Sequence, residues 1–340
     1  MSVGLTPMSL VPANDRAAER AGLLAIDKPA GVTSHDVGSA LRRRLRVKRA
    51  GHLGTLDPAA TGLLLVATGP ATRAISAWQG GDKTYEAVVR FGIVTTTQDT
   101  QGDVLERSDR LPTESEARTA ALALTGEIEQ VPPMVSALKV GGKRLYSLAR
   151  QGIEVERAPR RVTVKRWDWL AFDGATARFR IVCTGGTYVR TLAHDLGRAL
   201  GCGGALEQLR RLRSEPFGLE RALPLRECLT LAPAEIWERA GYTLEQALGH
   251  LPRFTLTSHE AESIGFGARP RVGAARAAAR EPGVAAGGAL RPIVFNSPDG
   301  RGLALGELVP AADAGTPADG AFEVRARVVF PWSAREGSAA

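Results

Sequence analysis

Continuous and alternating apolar stretches in the first two thirds of the chain predict strands on either side of short helices. A continuous apolar run from Leu23 to Ile26 predicts one strand, and the run from Leu63 to Ala67 predicts another. From Lys83 to Ile93 apolar residues alternate with more polar ones, which predicts a strand with one buried face that carries Tyr85. A further strand is predicted from Arg178 to Thr184.

Three segments carry helix signals. Residues Thr33 to Asp36 match a capping box, in which a threonine and an acidic residue three positions later bond each other's backbone. Further helices are predicted from Glu114 to Leu124 and from Tyr188 to Leu200, the latter ending at Gly201. The apolar face of the first helix comprises Val37, Ala40, Leu41 and Leu45.

The composition changes from about Leu251 onward. Alanine, glycine and proline dominate residues 268–288, whereas residues 291–295, 303–308 and 322–330 have the pattern of short strands. We therefore expect a small all-β C-terminal domain that carries a flexible insertion at about 268–288. Residues 1–21 predict a flexible N-terminal tail without the pattern of a signal peptide.

Length and composition limit the class of protein. With 340 residues the chain can hold two domains, and its 44% hydrophobic content is ordinary for a globular protein. No apolar run approaches the roughly 20 residues that cross a bilayer, so we expect a cytoplasmic protein with no membrane partner. Its 3 cysteines are too far apart for a ligand pair, and the common motifs of metal, nucleotide and serine-hydrolase sites are missing from the sequence.

The formal net charge of +8 favours a polyanionic partner, because basic side chains that bind phosphates release counterions. Two basic clusters strengthen this expectation: one runs from Arg42 to Arg49, and the other from Arg210 to Arg213. Each cluster taken alone is as consistent with a solvated helix face as with RNA binding. A third basic segment, Lys139 to Arg144, is rich in glycine and predicts a mobile loop.

One acidic residue stands out because of the segment that carries it. Asp57 lies in the run from Gly51 to Gly62, where glycines and a proline, rather than a helix or strand, are expected to set the backbone shape. The strand predicted at Leu63 would anchor this loop and present the carboxylate accurately. The alternative is an ordinary turn, in which Asp57 bonds only its own backbone.

Six short motifs follow one another along the chain. In this order they resemble those of the TruB-type family of bacterial tRNA pseudouridine-55 synthases, over nearly the whole stretch from Gly22 to Trp332. A single match could arise by chance, whereas six in family order are hard to explain otherwise. The motifs are Lys28-Pro-x-Gly-x-Thr-Ser, Gly51-His-x-Gly-Thr-Leu-Asp-Pro-x-Ala-x-Gly, Lys83-Thr-Tyr-Glu-Ala, Pro132-Pro-x-x-Ser-Ala-x-Lys, Gly186-Thr-Tyr-Val-Arg-Thr-Leu, and Gly201-Cys-Gly followed by Leu209-Arg-Arg.

The resemblance implies an α+β pseudouridine synthase fold. In this fold a central mixed, mostly antiparallel sheet is flanked by helices and followed by a small all-β PUA-like domain. The catalytic domain would span residues 22–250, with a basic RNA-contacting loop at about 132–160. The PUA-like RNA-binding domain would span residues 251–333. The implied partner is tRNA, at its T-loop and elbow, bound by a monomer with no obligate protein partner.

The implied reaction is the isomerisation of uridine 55 in the T-loop of tRNA to pseudouridine. The base is detached from C1′, turned and rejoined through C5, after it has been flipped out of its stack. Because there is no net oxidation and no loss of atoms, neither a redox cofactor nor a metal is expected. Attack at C1′, attack at C6 and elimination to a glycal stay open, because one aspartate suits each route.

The resemblance also assigns roles to residues. Asp57 is the catalytic carboxylate, and Arg190 keeps it ionised by charge and hydrogen bonds. Tyr85 stacks on the target base and assists removal of the proton from C5. His52 takes up the space of the extruded base. The pocket and the catalytic loop involve three more residues: Tyr188, Leu209 and Lys28, of which Lys28 supports the loop and is a candidate phosphate contact.

Val135 departs from the family pattern, which has an aromatic residue at this position, so no stacking contact is expected there. Two other functions stay open. An RNA N-glycosidase would use the same aspartate but release uracil. A non-catalytic tRNA-binding chaperone would use only the basic clusters and the C-terminal domain.

Overall fold

The computed structural model describes residues 21–136, 138–149, 151–153, 155–273, 276–277, 292–311 and 321–330. In these ranges there is no helix with the length and apolar character needed to pass through a membrane. Two 3₁₀ helices span Gly69–Trp78 and Leu219–Arg221. The described α-helices are α1 (Ser34–Arg44), α2 (Glu114–Ala123), α3 (Leu145–Ala149), α4 (Val189–Ala199), α5 (Leu225–Cys228), α6 (Pro233–Ala240), α7 (Leu244–Ala247) and α8 (Ser258–Gly265).

The described strands follow the chain from Gly22 to Val329. They are β1 (Gly22–Lys28), β2 (Ala50–Leu53), β3 (Thr61–Thr68), β4 (Lys83–Phe91), β5 (Ile93–Thr95), β6 (Val104–Arg107), β7 (Gly126–Gln130), β8 (Lys139–Val140), β9 (Lys143–Arg144), β10 (Arg160–Phe172), β11 (Thr176–Cys183), β12 (Gly204–Ser214), β13 (Phe217–Gly218), β14 (Leu223–Pro224), β15 (Gly241–Thr243), β16 (Arg253–Thr255), β17 (Arg271–Gly273), β18 (Ile293–Asn296), β19 (Gly302–Pro310) and β20 (Ala321–Val329).

A mixed sheet of 11 described strands forms the frame of the larger part of the chain. Its main path runs β14-β1-β3-β12-β4-β11-β10-β7, while β2, β13 and β15 pair with β3, β12 and β1. Neighbouring strands are antiparallel except in the pairs β1–β14 and β3–β12. The expected mixed, mostly antiparallel central sheet is therefore confirmed.

Strands β1 and β3 are almost wholly apolar because both of their faces are buried. On one face, Leu24 belongs to the core that α1 and α4 cover. On the other face, Leu23 and Trp78 belong to a second core, together with Val294 and Leu305 of the C-terminal strands. This second core, called here the shared core, joins the central sheet to the C-terminal sheet.

Helix α1 begins as predicted. The Asp36 amide donates to the Thr33 hydroxyl, and the Thr33 amide donates to the Asp36 carboxylate. The apolar face of the helix is buried at Val37 and Leu41. This packing leaves most of the basic cluster from Arg42 to Arg49 exposed.

Two predicted loops instead contain strands. Gly51 and His52 lie in β2, which pairs with β3, so strand hydrogen bonds set the backbone at the beginning of the Asp57 segment. The basic segment from Lys139 to Arg144 forms the hairpin β8–β9. Its turn, Gly141-Gly142, has positive φ at both residues, a conformation that suits a tight hairpin turn.

The arginines of the second basic cluster do not form one exposed surface. Its residues lie on β12, where neighbouring side chains point to opposite faces of the sheet. Arg211 is therefore 1% exposed. Arg210 pairs with Asp27 at 2.7 Å, and Arg213 pairs with Glu215 at 2.7 Å. Arg211 is closed off from RNA, whereas Arg210 and Arg213 are each 40% exposed and paired with a carboxylate, so contact of this cluster with RNA stays a prediction.

The predicted C-terminal strands are confirmed as β18, β19 and β20. With β16 and β17 they form a five-stranded sheet in the order β16-β18-β19-β20-β17. Helix α8 packs against it through Ile264. The expected insertion at 268–288 contains β17, and its residues 274–275 and 278–288 lie outside the described residues, as does most of the expected tail at 1–21.

Helix α4 lies unusually close to β12 because both carry glycine at the contact. A Cβ atom on Gly197 would stand 2.0 Å from the backbone nitrogen of Gly204, which is closer than two such atoms can approach. The absence of a side chain at this point lets α4 pack directly on the sheet. This close packing fixes the position of Arg190, which lies in the first turn of α4.

Replacing Gly197 by alanine should lower the free energy of unfolding by about 2 kcal/mol or more, because α4 would have to move away from β12. The matched control is Gly38→Ala in α1, where an added Cβ meets no atom within 4 Å. That change should raise the free energy of unfolding by roughly 0.5–1 kcal/mol. Urea titration followed by circular dichroism measures both, and equal effects would contradict the packing argument.

Candidate active site

A cavity of about 480 Å³ opens beside the loop between β2 and β3, called here the Asp57 loop. Residues Gly54 to Asp57 line one side of it, and the residues around the start of α4 line another. Strands β4 and β12 contribute further side chains. The polar, charged and large side chains that line the cavity include Asp57, Lys83, Tyr85, Ser136, Tyr188, Arg190, Leu209 and Arg211.

The Asp57 loop is fixed by the ammonium group of Lys28. Its Nζ donates to the carbonyl oxygens of Pro29, Pro58 and Ala60 at 2.9, 3.1 and 2.7 Å, and the residue is fully buried. Burial lowers the pKa of Lys28 to about 8. Because an ammonium has only three protons, none is left for a phosphate. The structure therefore supports the predicted role in holding the loop and not the predicted phosphate contact.

Helix α1 ties the same loop through Ser34. Its Oγ donates to the Leu56 carbonyl at 3.0 Å and accepts from the Leu56 amide at 2.9 Å. On the other side of the aspartate, the Pro58 carbonyl accepts from the Gly31 amide at 2.9 Å. The backbone is thus bonded on both sides of Asp57, so the acid is held although it lies in a loop.

Asp57 and Arg190 form a two-point ion pair. Arg190 Nε lies 2.9 Å from Oδ2, and Nη2 donates to Oδ1 at 3.3 Å. The guanidinium also donates to the carbonyls of Thr97 at 2.9 Å and Val135 at 2.7 Å. The Arg190 side chain is 4% exposed and that of Asp57 is 39% exposed, so the carboxylate is the open member of the pair.

The charge state of Asp57 depends on opposing influences. Burial raises the pKa of its carboxyl above the ordinary value, and the charge of Asp99 adds to this effect. The positive charges of Arg190 and Lys28 lower the pKa of Asp57. Arg190 is therefore the main group that favours the ionised form of Asp57 in this cavity.

Asp99 is a residue that the sequence reasoning missed. Its Oδ2 lies 3.7 Å from Arg190 Nε, and its Oδ1 accepts from the Thr97 hydroxyl at 2.6 Å. The preceding residue, Gln98, has a φ of +64° and accepts a hydrogen bond from Thr191 of α4. No local motif marks Asp99, because its placement depends on contacts with a helix far along the chain.

Tyr85, Tyr188 and Leu209 line the cavity, as predicted. Tyr85 lies on the buried face of β4, and its residue is 8% exposed. Tyr188 precedes α4, where the Gln130 side chain accepts from its amide at 2.7 Å and donates to its carbonyl at 3.1 Å. Leu209 lies on β12 opposite Ala87.

His52 and Val135 are not among the residues that line the cavity. His52 is half-buried on β2 opposite Val66. Its assignment to the space of an extruded base stays a prediction. Val135 contributes its backbone rather than an aromatic ring, because its carbonyl accepts from Arg190.

Two buried cations beside the cavity were also missed. Lys83 Nζ donates to the Gly81 carbonyl, and burial lowers the pKa of Lys83 to about 8. Arg211 Nε donates to the Leu63 carbonyl at 2.7 Å, and Nη2 donates to the Gly54 carbonyl at 3.1 Å. Strand alternation on β12 is the only sequence signal that could have separated Arg211 from its exposed neighbours.

This arrangement suits chemistry at carbon. One carboxylate is ion-paired with a buried guanidinium at the edge of a partly dry cavity, which a phenol and an aliphatic side chain also line. Such a carboxylate can attack an electrophilic carbon or stabilise a cation that forms beside it. Among the residues with described positions, no three His, Cys, Asp or Glu side chains are grouped so that they could hold a metal ion.

Comparison with known proteins agrees with this geometry. Residues 42–189 match the TruB family pseudouridylate synthase N-terminal domain, and residues 190–245 match the tRNA pseudouridylate synthase B C-terminal domain. The chain belongs to the TruB family of pseudouridylate synthases. It is 49% identical to tRNA pseudouridine synthase B of Aromatoleum aromaticum, over 71% of this chain and 78% of that protein.

Two further members of the TruB family show similar identity. The tRNA pseudouridine synthase B of Symbiobacterium thermophilum is 48% identical over 76% of this chain and 86% of that protein. That of a Mycobacterium species is 44% identical over 84% of this chain and 91% of that protein. Similarity therefore extends over most of the length of both proteins.

Solved structures confirm the fold. A chain of a Cbf5-Nop10-Gar1 complex superposes with a TM-score of 0.67 at 25% identity, over 93% of this TruB-family chain and 88% of that chain. A chain of an archaeal box H/ACA Nop10-Cbf5 complex gives 0.64 at 24% identity, over 92% and 88%. Together with the family match, these likenesses confirm the expected pseudouridine synthase fold, and the five-stranded sheet is compatible with a PUA-like domain.

Replacing Lys28 by methionine should lower the free energy of unfolding by about 2 kcal/mol or more. The substitution keeps the length of the side chain but removes one hydrogen bond from each of the carbonyl oxygens of Pro29, Pro58 and Ala60. Lys48→Met, at an exposed position after α1, is the control and should change stability by less than about 0.5 kcal/mol. Chemical denaturation checks both, and equal stability of the two variants would show that Lys28 does not hold the loop.

Proposed function

We propose that this chain converts uridine 55 in the T-loop of tRNA to pseudouridine. The observation that carries the proposal is the Asp57–Arg190 ion pair, whose carboxylate is open to a cavity that Tyr85 also lines. The family supports the reaction class, and the relatives named tRNA pseudouridine synthase B support tRNA as the substrate.

Asp57 is the group that acts on the ribose or the base. Its ionised oxygen can attack C1′, attack C6, or stabilise the sugar cation formed when the bond between C1′ and N1 breaks. All three routes need a carboxylate that is charged and poorly hydrated. Arg190 provides the charge stabilisation without covering the carboxylate, because Asp57 keeps 39% of its side chain exposed.

The target uridine enters the cavity after it has been flipped out of the T-loop, which costs a few kcal/mol of stacking. A cavity of about 480 Å³ lies in the range of small-ligand sites and can take one nucleoside. Tyr85, Tyr188 and Leu209 supply ring and aliphatic surfaces that replace the lost stacking. Tyr85 additionally takes part in removal of the proton from C5.

Exposed basic residues supply contacts to the tRNA backbone. The cluster from Arg42 to Arg49 follows the exposed side and the end of α1, which packs against the Asp57 loop through Ser34. We assign residues 22–250 to the catalytic domain and residues 251–333 to a PUA-like RNA-binding domain. The hairpin segment within 132–160 belongs to the RNA-contacting surface.

One chain supplies every residue that this mechanism uses. Asp57, Tyr85 and Arg190 line a single cavity of one chain, so we propose that the protein acts as a monomer. The substrate is tRNA, so we further propose that it acts in the cytoplasm. No step of the proposed reaction requires a metal or a redox cofactor.

Asp57→Asn should abolish pseudouridine formation, with a loss of about 10⁴-fold or more, because the amide cannot act as the nucleophile or balance a cation. Binding of tRNA should change by less than about threefold, since the residue keeps its shape. Carbodiimide labelling with primer extension measures the product, and filter binding measures affinity.

The matched control is Asp103→Asn, an exposed aspartate that lies outside the cavity. It should keep full turnover. Release of free uracil by the unaltered protein would point to an RNA N-glycosidase, and tRNA binding without any modified base would point to a chaperone. Either result would overturn the proposed function.

The pH dependence of turnover should report the pKa of Asp57. The turnover number kcat should fall as pH is lowered through this pKa, because only the ionised carboxylate reacts. Burial raises the pKa of Asp57, so the fall should begin at a higher pH than for an ordinary aspartate. Asp99→Asn removes a repelling charge and should move the acid limb to lower pH.

Single-turnover rates between pH 4 and pH 8 measure this limb. Arg190→Gln should move it in the opposite direction, because the charge that lowers the pKa of Asp57 is lost. The control Asp103→Asn should leave the limb in place. An acid limb that does not respond to Asp99 or Arg190 would mean that another group titrates.

A further inference from the structure

Arg211 is a buried cation that takes no part in the mechanism proposed above. Its residue is 1% exposed. No aspartate or glutamate oxygen of the described residues lies within 4.0 Å of its guanidinium. Buried charges are normally paired, because removing a charge from water is costly. An unpaired buried guanidinium at a cavity wall therefore calls for an explanation.

The position of Arg211 in the sheet connects two parts of the site. Strand β12 lies between β3 and β4, and Arg211 pairs with Gly62 of β3 and with Tyr85 of β4. Residues paired directly across two strands have side chains on the same face of the sheet. The side chains of Arg211 and Tyr85 both line the cavity, and the guanidinium donates to the Leu63 and Gly54 carbonyls.

We propose that Arg211 is a positioning residue that holds the Tyr85 oxygen in the cavity and stabilises Tyr85 as a phenolate for removal of the proton from C5. This inference rests on the proposed function and deepens it. Tyr85 would be the group that touches the base, and Arg211 would act only through Tyr85.

The proton transfer balances. Before the step, Tyr85 has released its hydroxyl proton to solvent, and C5 of the rejoined base carries both the new bond to C1′ and a hydrogen. The phenolate oxygen takes this hydrogen as a proton, and the electron pair of the C5–H bond returns to the ring. N1 of the base, which gains the negative charge, takes up a proton from solvent, so the products are a neutral phenol and pseudouridine. In the phenolate state the charges of Tyr85 and Arg211 compensate each other, so the unpaired buried charge disappears.

Burial raises the pKa of Tyr85 above its ordinary value, and the charge of Arg211 acts against this rise without cancelling it. A phenol buried beside no cation would keep its proton and could not serve as a base near neutral pH.

A purely structural role is the competing explanation. Arg211 binds the carbonyls of Gly54 and Leu63, which lie on either side of Asp57 in the sequence, so its loss would also disturb the Asp57 loop. The two explanations differ in what they predict for Tyr85. Only the positioning role requires the protonation of Tyr85 to respond to Arg211.

Titration of Tyr85 in the full chain tests the inference. The protein has 4 tyrosines, so labelling them with ¹³C at Cζ gives few NMR signals, and Tyr85→Phe assigns the one of interest. Arg211→Met should raise the titration midpoint of Tyr85 by about one pH unit or more, which is a tenfold loss of phenolate. Arg211→Lys should raise it by less, because lysine keeps the charge but not the fork of donors.

The matched control is Arg210→Met, on the adjacent position of β12, where the arginine pairs with Asp27 at 2.7 Å and is 40% exposed. It should leave the Tyr85 midpoint unchanged. If Arg211→Met does not fold, Arg211→Lys decides: a midpoint equal to that of the unaltered protein overturns the inference. A midpoint unchanged in a folded Arg211→Met also overturns it.

Turnover supplies a second readout. In Arg211→Met, kcat at pH 7.5 should fall about tenfold or more with little change in KM, and raising the pH should recover part of the loss because more Tyr85 ionises. A loss that does not recover at higher pH overturns the inference in favour of the structural role. If the unaltered chain makes no pseudouridine, the proposed function fails instead, whatever Tyr85 does.

Discussion

The bond between Asp57 and Arg190 is the interaction on which the rest of the structure depends. A guanidinium that is 4% exposed must have its donors satisfied inside the protein, and those of Arg190 reach Asp57, Thr97 and Val135. These acceptors come from three separate stretches of chain. The need to satisfy one buried cation thus assembles the loop that carries the acid, the segment that carries Asp99 and the segment before the hairpin around one cavity.

Asp57 lies in a loop, yet hydrogen bonds from the surrounding elements hold its position as accurately as a strand would. Lys28 and Ser34 hold the backbone on both sides of it, and each belongs to a regular element packed on the central sheet. Catalytic groups need this accuracy, because a displacement of about 1 Å can cost about a hundredfold in rate. The close contact of α4 with β12 at Gly197 supplies the same accuracy to Arg190.

Much of the fold and of the site could be predicted because the signals are local. Apolar runs and alternation predict β1, β3 and β4, a capping box predicts the start of α1, and short motifs contain Asp57, Tyr85 and Arg190. β2 was expected to be a loop because its pairing with β3 is not visible in the motif that contains Asp57. The hairpin β8–β9 pairs locally, but its strands of two residues are too short to show an alternating pattern. Asp99 was missed because its placement depends on α4, and Arg211 was missed because it was grouped with neighbours that lie on the opposite face of β12.

The shared core has a consequence for recognition. Leu23 of the central sheet and Trp78 of the 3₁₀ helix Gly69–Trp78 pack in one apolar cluster with Val294 and Leu305 of the C-terminal sheet, so the two sheets cannot swing apart without exposing that cluster to water. Their spacing is set before any ligand arrives. A ligand that contacted both sheets would lose less free energy to ordering the protein than one that bound two freely moving parts. The shared core thus favours ligands whose dimensions match the spacing of the two sheets.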